Sequence, residues 1–106
     1  MKKVRKKRAC PICETLRFLG GKWDIMVIRY LLDGPKRFAE LKEAIPDLSS
    51  KSLSVTLKQL IAKGMITREV NSDFPVSVVY SLTQKGADMK AVMTAMRDWG
   101  EKWITA

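Results

Sequence analysis

The hydrophobic period of this chain changes from helical to strand-like after Gly64, and this change constrains the fold more than any other feature. Before Gly64, apolar residues recur every three or four positions, which is the spacing of amphipathic helices. From Val76 to Leu82, every second residue is apolar, which is the spacing of a half-buried strand. A two-stranded hairpin is marginal alone, so the sequence predicts a hairpin that packs on helices.

The stretch from Ser49 to Lys63 predicts a helix that the rest of the chain holds in place and exposes on one side, the candidate recognition helix. The side opposite its apolar stripe carries Lys51, Lys58, hydroxyls and small apolar side chains, and the stretch contains no acidic residue. Phosphates and base edges are contacted by side chains of these kinds. An ordinary surface helix capped by a serine has the same pattern. Its apolar stripe, with i, i+4, i+7, i+8 spacing, consists of Leu53, Leu57, Leu60 and Ile61.

The remaining elements follow from the same patterns. Three earlier helices are predicted, from Pro11 to Leu19, from Lys22 to Leu32 and from Phe38 to Ile45. Because a tight link at Pro46 joins the third helix to the helix that follows Ser49, these two helices are predicted to form a helix-turn-helix. Strands from Met65 to Val70 and from Val76 to Leu82 form a wing, and Thr83 caps a last helix that reaches about Ile104. The predicted fold class is mainly α with a small β-hairpin wing (α+β), a winged helix-turn-helix.

The length and the net charge of the chain limit its possible functions. The 106 residues predict one domain, residues 10–106, after a basic flexible arm, residues 1–9. The net charge of +9 predicts a polyanionic partner, double-stranded DNA first and an anionic membrane surface second.

No apolar run approaches the roughly 18 residues of a membrane span, and no signal-peptide apolar region follows the arm, so we expect a cytoplasmic protein. The sequence has no histidine, which excludes histidine-based catalytic triads.

The first and last helices carry apolar stripes that are longer than one small domain can cover. Exposed stripes of this kind usually mark a partner surface, and a symmetric dimer would present two recognition helices to two half-sites. The alternative is that the last helix folds back onto its own core. The expected dimer residues are Leu16, Leu19, Met89, Val92, Met93, Met96, Trp99 and Trp103.

Six short motifs occur together and in order. They are Cys10-Pro11, Gly20-Gly21-Lys22-Trp23, Gly34-Pro35-Lys36-Arg37-Phe38-x-x-Leu41, Ser49-x-Lys51-x-Leu53-x-x-x-Leu57, Tyr80-Ser81-Leu82-Thr83-x-x-Gly86 and Trp99. With them the chain resembles the HxlR-type winged helix-turn-helix regulators, relatives of the MarR group, from Cys10 to Trp103. The resemblance implies a homodimer held by the first and last helices on palindromic DNA, with the Cys-Pro cysteine sensing electrophiles or oxidants in some members.

The chain departs from the family pattern at several positions. Val55 and Thr56 stand where relatives commonly have long polar or basic side chains, so different base contacts are expected. Ser77 stands where relatives often have an arginine in the second wing strand, which predicts a weaker grip on phosphate. Cys13 is an addition to the usual single cysteine.

The candidate DNA contacts lie on the recognition helix, at the start of the third helix and on the wing. Short serine side chains suit base edges or phosphates, and Val55 suits a thymine methyl group. Solvated lysines are the alternative for Lys51 and Lys58, and Asp73 is expected to shape the wing turn. The candidates are Arg37, Ser49, Ser50, Lys51, Ser52, Ser54, Val55, Lys58, Arg68, Asn71 and Ser72.

Cys10 and Cys13 form a C-x-x-C at a helix start. The helix dipole and the cations Lys6, Lys7 and Arg8 favour a thiolate. Three interpretations stay open: a switch that responds to a small electrophile or oxidant, an inert pair, or a zinc site that pools thiols from two subunits.

The leading hypothesis is a sequence-specific, homodimeric transcription regulator without enzymatic activity, cofactor or resident metal. A DNA-coating architectural protein that lacks sequence preference is the second hypothesis. A thiol–disulfide oxidoreductase is the third, although that chemistry usually has a strand–helix–strand frame that this sequence does not predict.

Overall fold

A computed structural model describes residues 10–105, and within this range the chain forms six helices and one two-stranded antiparallel sheet. The predicted winged helix-turn-helix, mainly α with a β-hairpin, is confirmed. The arm predicted for residues 1–9 lies outside the described residues. The elements are α1 (Pro11–Leu19), α2 (Lys22–Leu31), α3 (Phe38–Ala44), α4 (Ser50–Ala62), β1 (Ile66–Asn71), β2 (Ser77–Leu82), α5 (Gln84–Ala87) and α6 (Met89–Trp103).

Helix α2 is central, because it contacts α1, α3, α4, α6 and β2. Its residues Val27 and Ile28 are fully buried. Burying one such side chain contributes roughly 1.5–3 kcal/mol, so this shared core holds the recognition helix in place. The core around α2 is completed by Leu19, Leu31, Leu41, Ile45, Leu48, Leu53, Leu57, Leu60, Met65, Ile66, Tyr80 and Met89.

Helix α1 is attached to the domain at its C-terminal end. The helix begins at Pro11, as predicted, and Cys10 is its N-cap residue. Residues 10–17 are exposed, whereas Phe18 is half-buried and Leu19 is buried. Gly20, at φ +79°, ends the helix by donating its backbone N–H to the Leu16 carbonyl over 3.3 Å; residues other than glycine rarely adopt that conformation.

The wing is anchored at its base and exposed at its tip. The strands pair from Ile66 opposite Leu82 to Asn71 opposite Ser77. Tyr80 is buried, and it exchanges two backbone hydrogen bonds with Lys36, of 3.0 and 2.8 Å, on the other edge of β2. The predicted first strand begins one residue later than expected, at Ile66. Val76 lies outside β2 and is 64% exposed, because the apolar alternation extends beyond the hydrogen-bonded ladder.

The last helix is capped as predicted but divided. The Thr83 hydroxyl accepts a 3.2 Å hydrogen bond from the backbone N–H of Gly86. Asp88 then forms a turn between α5 and α6, where a single helix was predicted. Gly86 lies against the Met65 carbonyl, so α5 packs on the hairpin base. Between residues 10 and 105, no helix combines the length and apolar character needed to cross a membrane.

Candidate nucleic-acid interface

The recognition helix α4 begins at a tight turn with a buried interior. Ile45 and Leu48 are 3% and 2% exposed, and the backbone N–H of Leu48 donates to the Ile45 carbonyl over 3.1 Å. Ser49 caps the helix, because its hydroxyl oxygen accepts a 3.1 Å hydrogen bond from the backbone N–H of Ser52. The other first-turn N–H groups and the positive end of the helix dipole remain available to an anion.

The exposed face of α4 has a cationic and apolar centre. Lys51, Val55, Lys58 and Ala62 follow i, i+4, i+7 and i+11, so they share one line along the helix, and all four are exposed. Ser52 and Ser54 lie on opposite sides of this line. We call this set of six side chains the recognition face. It has no carboxylate that would repel phosphate, since none occurs in the helix.

Three positions of α4 differ from the sequence-based expectation. Ile61, assigned to the apolar stripe, lies at its rim and is 37% exposed. Thr56 was expected, together with Val55, to change the base contacts, but it is 7% exposed and points towards the core. Gln59 was missed, although it is exposed and next to Val55 on the helix surface. Its i+4 spacing from Val55 was the available signal, and glutamine suits an adenine edge.

The remaining DNA candidates are exposed on α3 and the wing. Arg37 precedes α3, where its backbone N–H donates to Glu40 Oε1 over 2.8 Å and its guanidinium stays free for solvent or phosphate. Arg68 lies on β1. At the wing tip, Asn71 Oδ1 accepts a 3.0 Å hydrogen bond from the Asp73 backbone N–H. This bond uses the acceptor of Asn71 in the turn and leaves its amide N–H groups as donors.

The two thiols are exposed and unpaired. The backbone N–H of Cys13, the Cys13 side chain and the backbone N–H of Ile12 all lower the pKa of the Cys10 thiol. Desolvation and the Glu14 carboxylate raise the pKa of Cys10 but do not prevail. These N–H groups belong to the first helical turn, although the Cys10 side chain forms no cap hydrogen bond of standard geometry. A lowered pKa therefore follows from the helix start alone, without the basic arm. No group of three or more cysteine or carboxylate side chains within residues 10–105 is placed to hold a metal ion.

The candidate dimer residues divide into two groups. Leu19 and Met89 are 4% and 9% exposed and pack in the core of their own chain, while Met93 is half-buried against that core. The remaining candidates are exposed, and so are Ile12 and Ile104, which were not among the expected dimer residues. The exposed apolar surface of α1 and α6, called here the terminal-helix face, consists of Ile12, Leu16, Val92, Met96, Trp99, Trp103 and Ile104.

Comparison with known proteins places this architecture in a family. The model of the HxlR-like helix-turn-helix family matches residues 18–106. The HTH-type transcriptional regulator YodB of Bacillus subtilis (strain 168) is 40% identical over 95 residues, which cover 89% of this chain and 85% of YodB. The reduced form of YodB superposes with a TM-score of 0.79, covering 91% of this chain and 95% of the other.

Two further solved structures agree. The redox regulator HypR in its reduced form is 35% identical, with a TM-score of 0.81 over 88% of this chain and 92% of HypR. A MarR-family transcriptional regulator from Porphyromonas gingivalis W83 is 31% identical, with a TM-score of 0.83 over 92% of this chain and 95% of the other. This chain therefore belongs to the HxlR-like helix-turn-helix family and is a DNA-binding transcriptional regulator.

Proposed function

We propose that the chain binds a two-fold symmetric operator as a homodimer and that modification of Cys10 by an oxidant or electrophile changes its affinity for that operator. The observation that carries the proposal is the recognition face of α4. Lys51 and Lys58 suit phosphates, Ser52 and Ser54 suit phosphates or base edges, and Val55 suits a thymine methyl group. Gln59 joins these side chains as a candidate for adenine.

The terminal-helix face supports the dimer. Trp99 and Trp103 are 60% and 66% exposed, and Met96 is 53% exposed, so α6 alone presents three large apolar side chains to solvent. Contiguous apolar surface of this kind favours association. Because a two-fold dimer repeats one surface on both subunits, it presents two copies of α4 to two half-sites.

The geometry of α1 supports regulation through Cys10. The thiol is exposed and its pKa is lowered, and both properties favour reaction as a thiolate. A peroxide would oxidise the Cys10 sulfur to a sulfenic acid and be reduced to water. Condensation with the Cys13 thiol, or with a thiol of a second subunit, would form a disulfide and release another water. An electrophile such as a quinone would instead form a covalent bond with the Cys10 sulfur.

Related proteins have been characterised in matching chemical states. Structures describe YodB in reduced, diamide-treated and quinone-bound forms. HypR is described as a redox regulator in reduced and oxidised forms. At 35–39% identity over about nine-tenths of this chain, these relatives make a thiol response the favoured mode of control here.

The two other hypotheses have weaker support. An architectural protein needs cationic surface but no particular set of base-contacting side chains, whereas the recognition face combines both. A thiol–disulfide enzyme usually uses a strand–helix–strand frame, and the strands within residues 10–105 form only the wing hairpin. We therefore propose a regulator without enzymatic activity, located in the cytoplasm where the regulated DNA lies.

Selection of bound duplexes from randomised DNA tests the proposal. We expect enrichment of a two-fold symmetric sequence with half-sites about 10–10.5 bp apart, or a multiple of that spacing. In a gel-shift titration, the complex of the protein with the enriched duplex should then resist excess competitor DNA. Equal competition by any duplex would favour the architectural alternative, and an enriched site without two-fold symmetry would contradict the dimer arrangement.

A further inference from the structure

A buried carboxylate connects the recognition helix to the start of α2. Asp24 lies in the first turn of α2 and is 5% exposed. It accepts a 2.8 Å hydrogen bond from Nζ of Lys63, which is the C-cap residue of α4. Within residues 10–105, Asp24 and Thr56 are the buried polar side chains. The most deeply placed charge of the described chain therefore holds the C-terminal end of the recognition helix.

The same ammonium group also contacts α1. Nζ of Lys63 lies 5.6 Å from the centroid of the Phe18 ring, and Nζ of Lys85 lies 4.4 Å from it. Lys85 in turn donates a 3.0 Å hydrogen bond to the Lys63 carbonyl. The Phe18 ring thus attracts two cations, one from the end of α4 and one from α5.

Phe18 is also one of the two residues that attach α1 to the domain. Residues 11–17 of the helix are exposed, so Phe18 and Leu19 make its buried contacts. Leu19 lies in the core and Phe18 packs against it, and the Phe18 ring also faces the ammonium that holds α4. Gly20 leaves little extra room, since a Cβ there would lie 3.2 Å from Lys63 Nζ. A displacement of α1 would therefore move Phe18 relative to the ammonium that holds the end of the recognition helix.

The chemistry of the Asp24–Lys63 pair favours a geometric role. A buried ion pair adds little net stability compared with apolar residues of similar volume, because both charges lose water. Removing Lys63, however, would leave the buried Asp24 carboxylate without compensation, so this carboxylate favours the arrangement in which the Lys63 ammonium reaches it. The pair therefore fixes the position of the end of α4 more than it stabilises the fold.

We propose that Asp24 is a positioning residue for DNA recognition, acting through Lys63, and that Phe18 transmits displacement of α1 to the same ammonium. The second part rests on the proposed regulation through Cys10, which lies on α1. The first part concerns the reduced protein alone. Neither residue lies on the recognition face, so both act on DNA through the position of α4.

Two substitutions remove the ion pair from opposite sides. Asp24→Asn keeps the shape of the side chain and removes its charge. Lys63→Gln removes the charge of the partner, whose side chain is 25% exposed, and it serves if Asp24→Asn does not fold. Asp98→Asn is the matched control, because it makes the same charge change in the exposed 3.4 Å pair with Arg97.

The first measurements use the reduced, full-length protein. We expect Asp24→Asn to lower the ratio of operator affinity to non-specific duplex affinity by about tenfold, while Asp98→Asn leaves the ratio near the wild-type value. Hydrogen exchange of the amides of residues 60–64 should be faster in Asp24→Asn and Lys63→Gln than in the control. Wild-type specificity together with wild-type exchange in both variants would overturn the positioning role.

The second measurements test Phe18. The operator affinities of wild type and Phe18→Leu are compared before and after treatment with N-ethylmaleimide or diamide. We expect the affinity change of the wild type to shrink several-fold in Phe18→Leu, with Cys10 modified to the same extent by mass spectrometry. A response of Phe18→Leu equal to that of the wild type would overturn the transmission role.

Failure of the proposed function would give results that differ from those expected if only the roles of Asp24 and Phe18 were wrong. A wild type that ignores both reagents while Cys10 is modified would refute thiol control and transmission together. The specificity ratio of the reduced protein would still decide the role of Asp24. If the wild type shows no sequence preference, the proposed function and the recognition role of Asp24 both fail, whereas the amide exchange would still show whether the pair fixes α4.

Discussion

The Ser49 hydroxyl oxygen accepts a 3.1 Å hydrogen bond from the backbone N–H of Ser52 and thereby closes the first turn of the recognition helix. The acceptor side of this hydroxyl is used by the fold, and its O–H remains a donor. Ser49 also lies where the helix dipole favours an anion. The structure thus assigns Ser49 to the cap of α4, and we propose that it also meets a DNA phosphate.

Two substitutions at Ser49 separate these roles. Ser49→Ala removes the cap and should cost about 1 kcal/mol of unfolding free energy, measured by urea denaturation. Ser49→Asp retains a capping oxygen, so its stability should stay close to that of the wild type. Because its carboxylate repels phosphate, Ser49→Asp should nevertheless bind operator DNA more weakly than Ser49→Ala. Tighter binding by Ser49→Asp would contradict a phosphate near this helix end.

Lys58 on the recognition face should act through phosphate. Lys58→Ala should weaken binding to operator and non-specific duplex alike, and it should reduce the slope of log K against log salt by about 1. Lys90→Ala, which removes an exposed lysine of α6, is the control and should leave the slope unchanged. An unchanged slope for Lys58→Ala together with altered base preference would instead place Lys58 on a base edge.

The sequence predicted the elements well because the strongest signals were local. Pro11, Gly20, Ser49 and Thr83 each act within one turn of a helix end, and their capping or terminating positions agree with the structure. The turn at Asp88 was missed, and the close approach of Gly86 to the Met65 carbonyl just before this turn joins residues that are far apart in the sequence.

The candidate site was predicted less completely than the fold. Side chains such as Lys51, Val55 and Lys58 are exposed as helical periodicity requires, whereas Thr56 is buried because α4 packs over more than its leucine stripe. The Asp24–Lys63 pair joins residues 39 positions apart, so no local pattern could indicate it.

The terminal-helix face should hold the dimer. Replacing both Met96 and Trp99 with Glu places charges on side chains that are 53% and 60% exposed in the single chain, so the subunit should fold while the dimer dissociates. Light scattering should give the monomer mass, and operator affinity should fall strongly. Val76→Glu, at an exposed apolar wing residue, is the control and should remain dimeric. A dimeric Met96→Glu/Trp99→Glu variant would exclude this face as the interface.

Gly86 should be required for the contact between α5 and the hairpin. A Cβ on Gly86 would overlap the carbonyl oxygen of Met65 and approach Leu82 Cδ2 to 2.9 Å. Although alanine favours helices, we expect Gly86→Ala to lower the free energy of unfolding by about 1–3 kcal/mol, the usual cost of overpacking. Glu43→Ala, at an exposed position of α3, should change it by less than about 0.5 kcal/mol. A Gly86→Ala protein as stable as the wild type in urea would contradict this close approach.

Cys10 should react as an activated thiolate, and its pH dependence should show the cause. Since N–H groups of the first turn of α1 lower its pKa, the alkylation rate of Cys10 should reach half its maximum below the pH of about 8.5 expected for a free thiol. The matched pair Cys13→Ser and Cys13→Ala separates the contributions to this shift. Serine keeps a side-chain donor and should preserve the shift, whereas alanine leaves only the backbone donors and should move the midpoint upward.

Glu14→Gln should shift the pKa of Cys10 in the direction opposite to that of Cys13→Ala. It removes the carboxylate that raises the pKa of Cys10, so the midpoint should move further down. Operator binding should change with oxidant, recover with dithiothreitol and be unresponsive in Cys10→Ser. Mass spectrometry of alkylated peptides at graded pH follows Cys10 alone in each Cys13 variant. If Cys10 is alkylated with the midpoint of a free thiol in all variants, the helix start does not activate it.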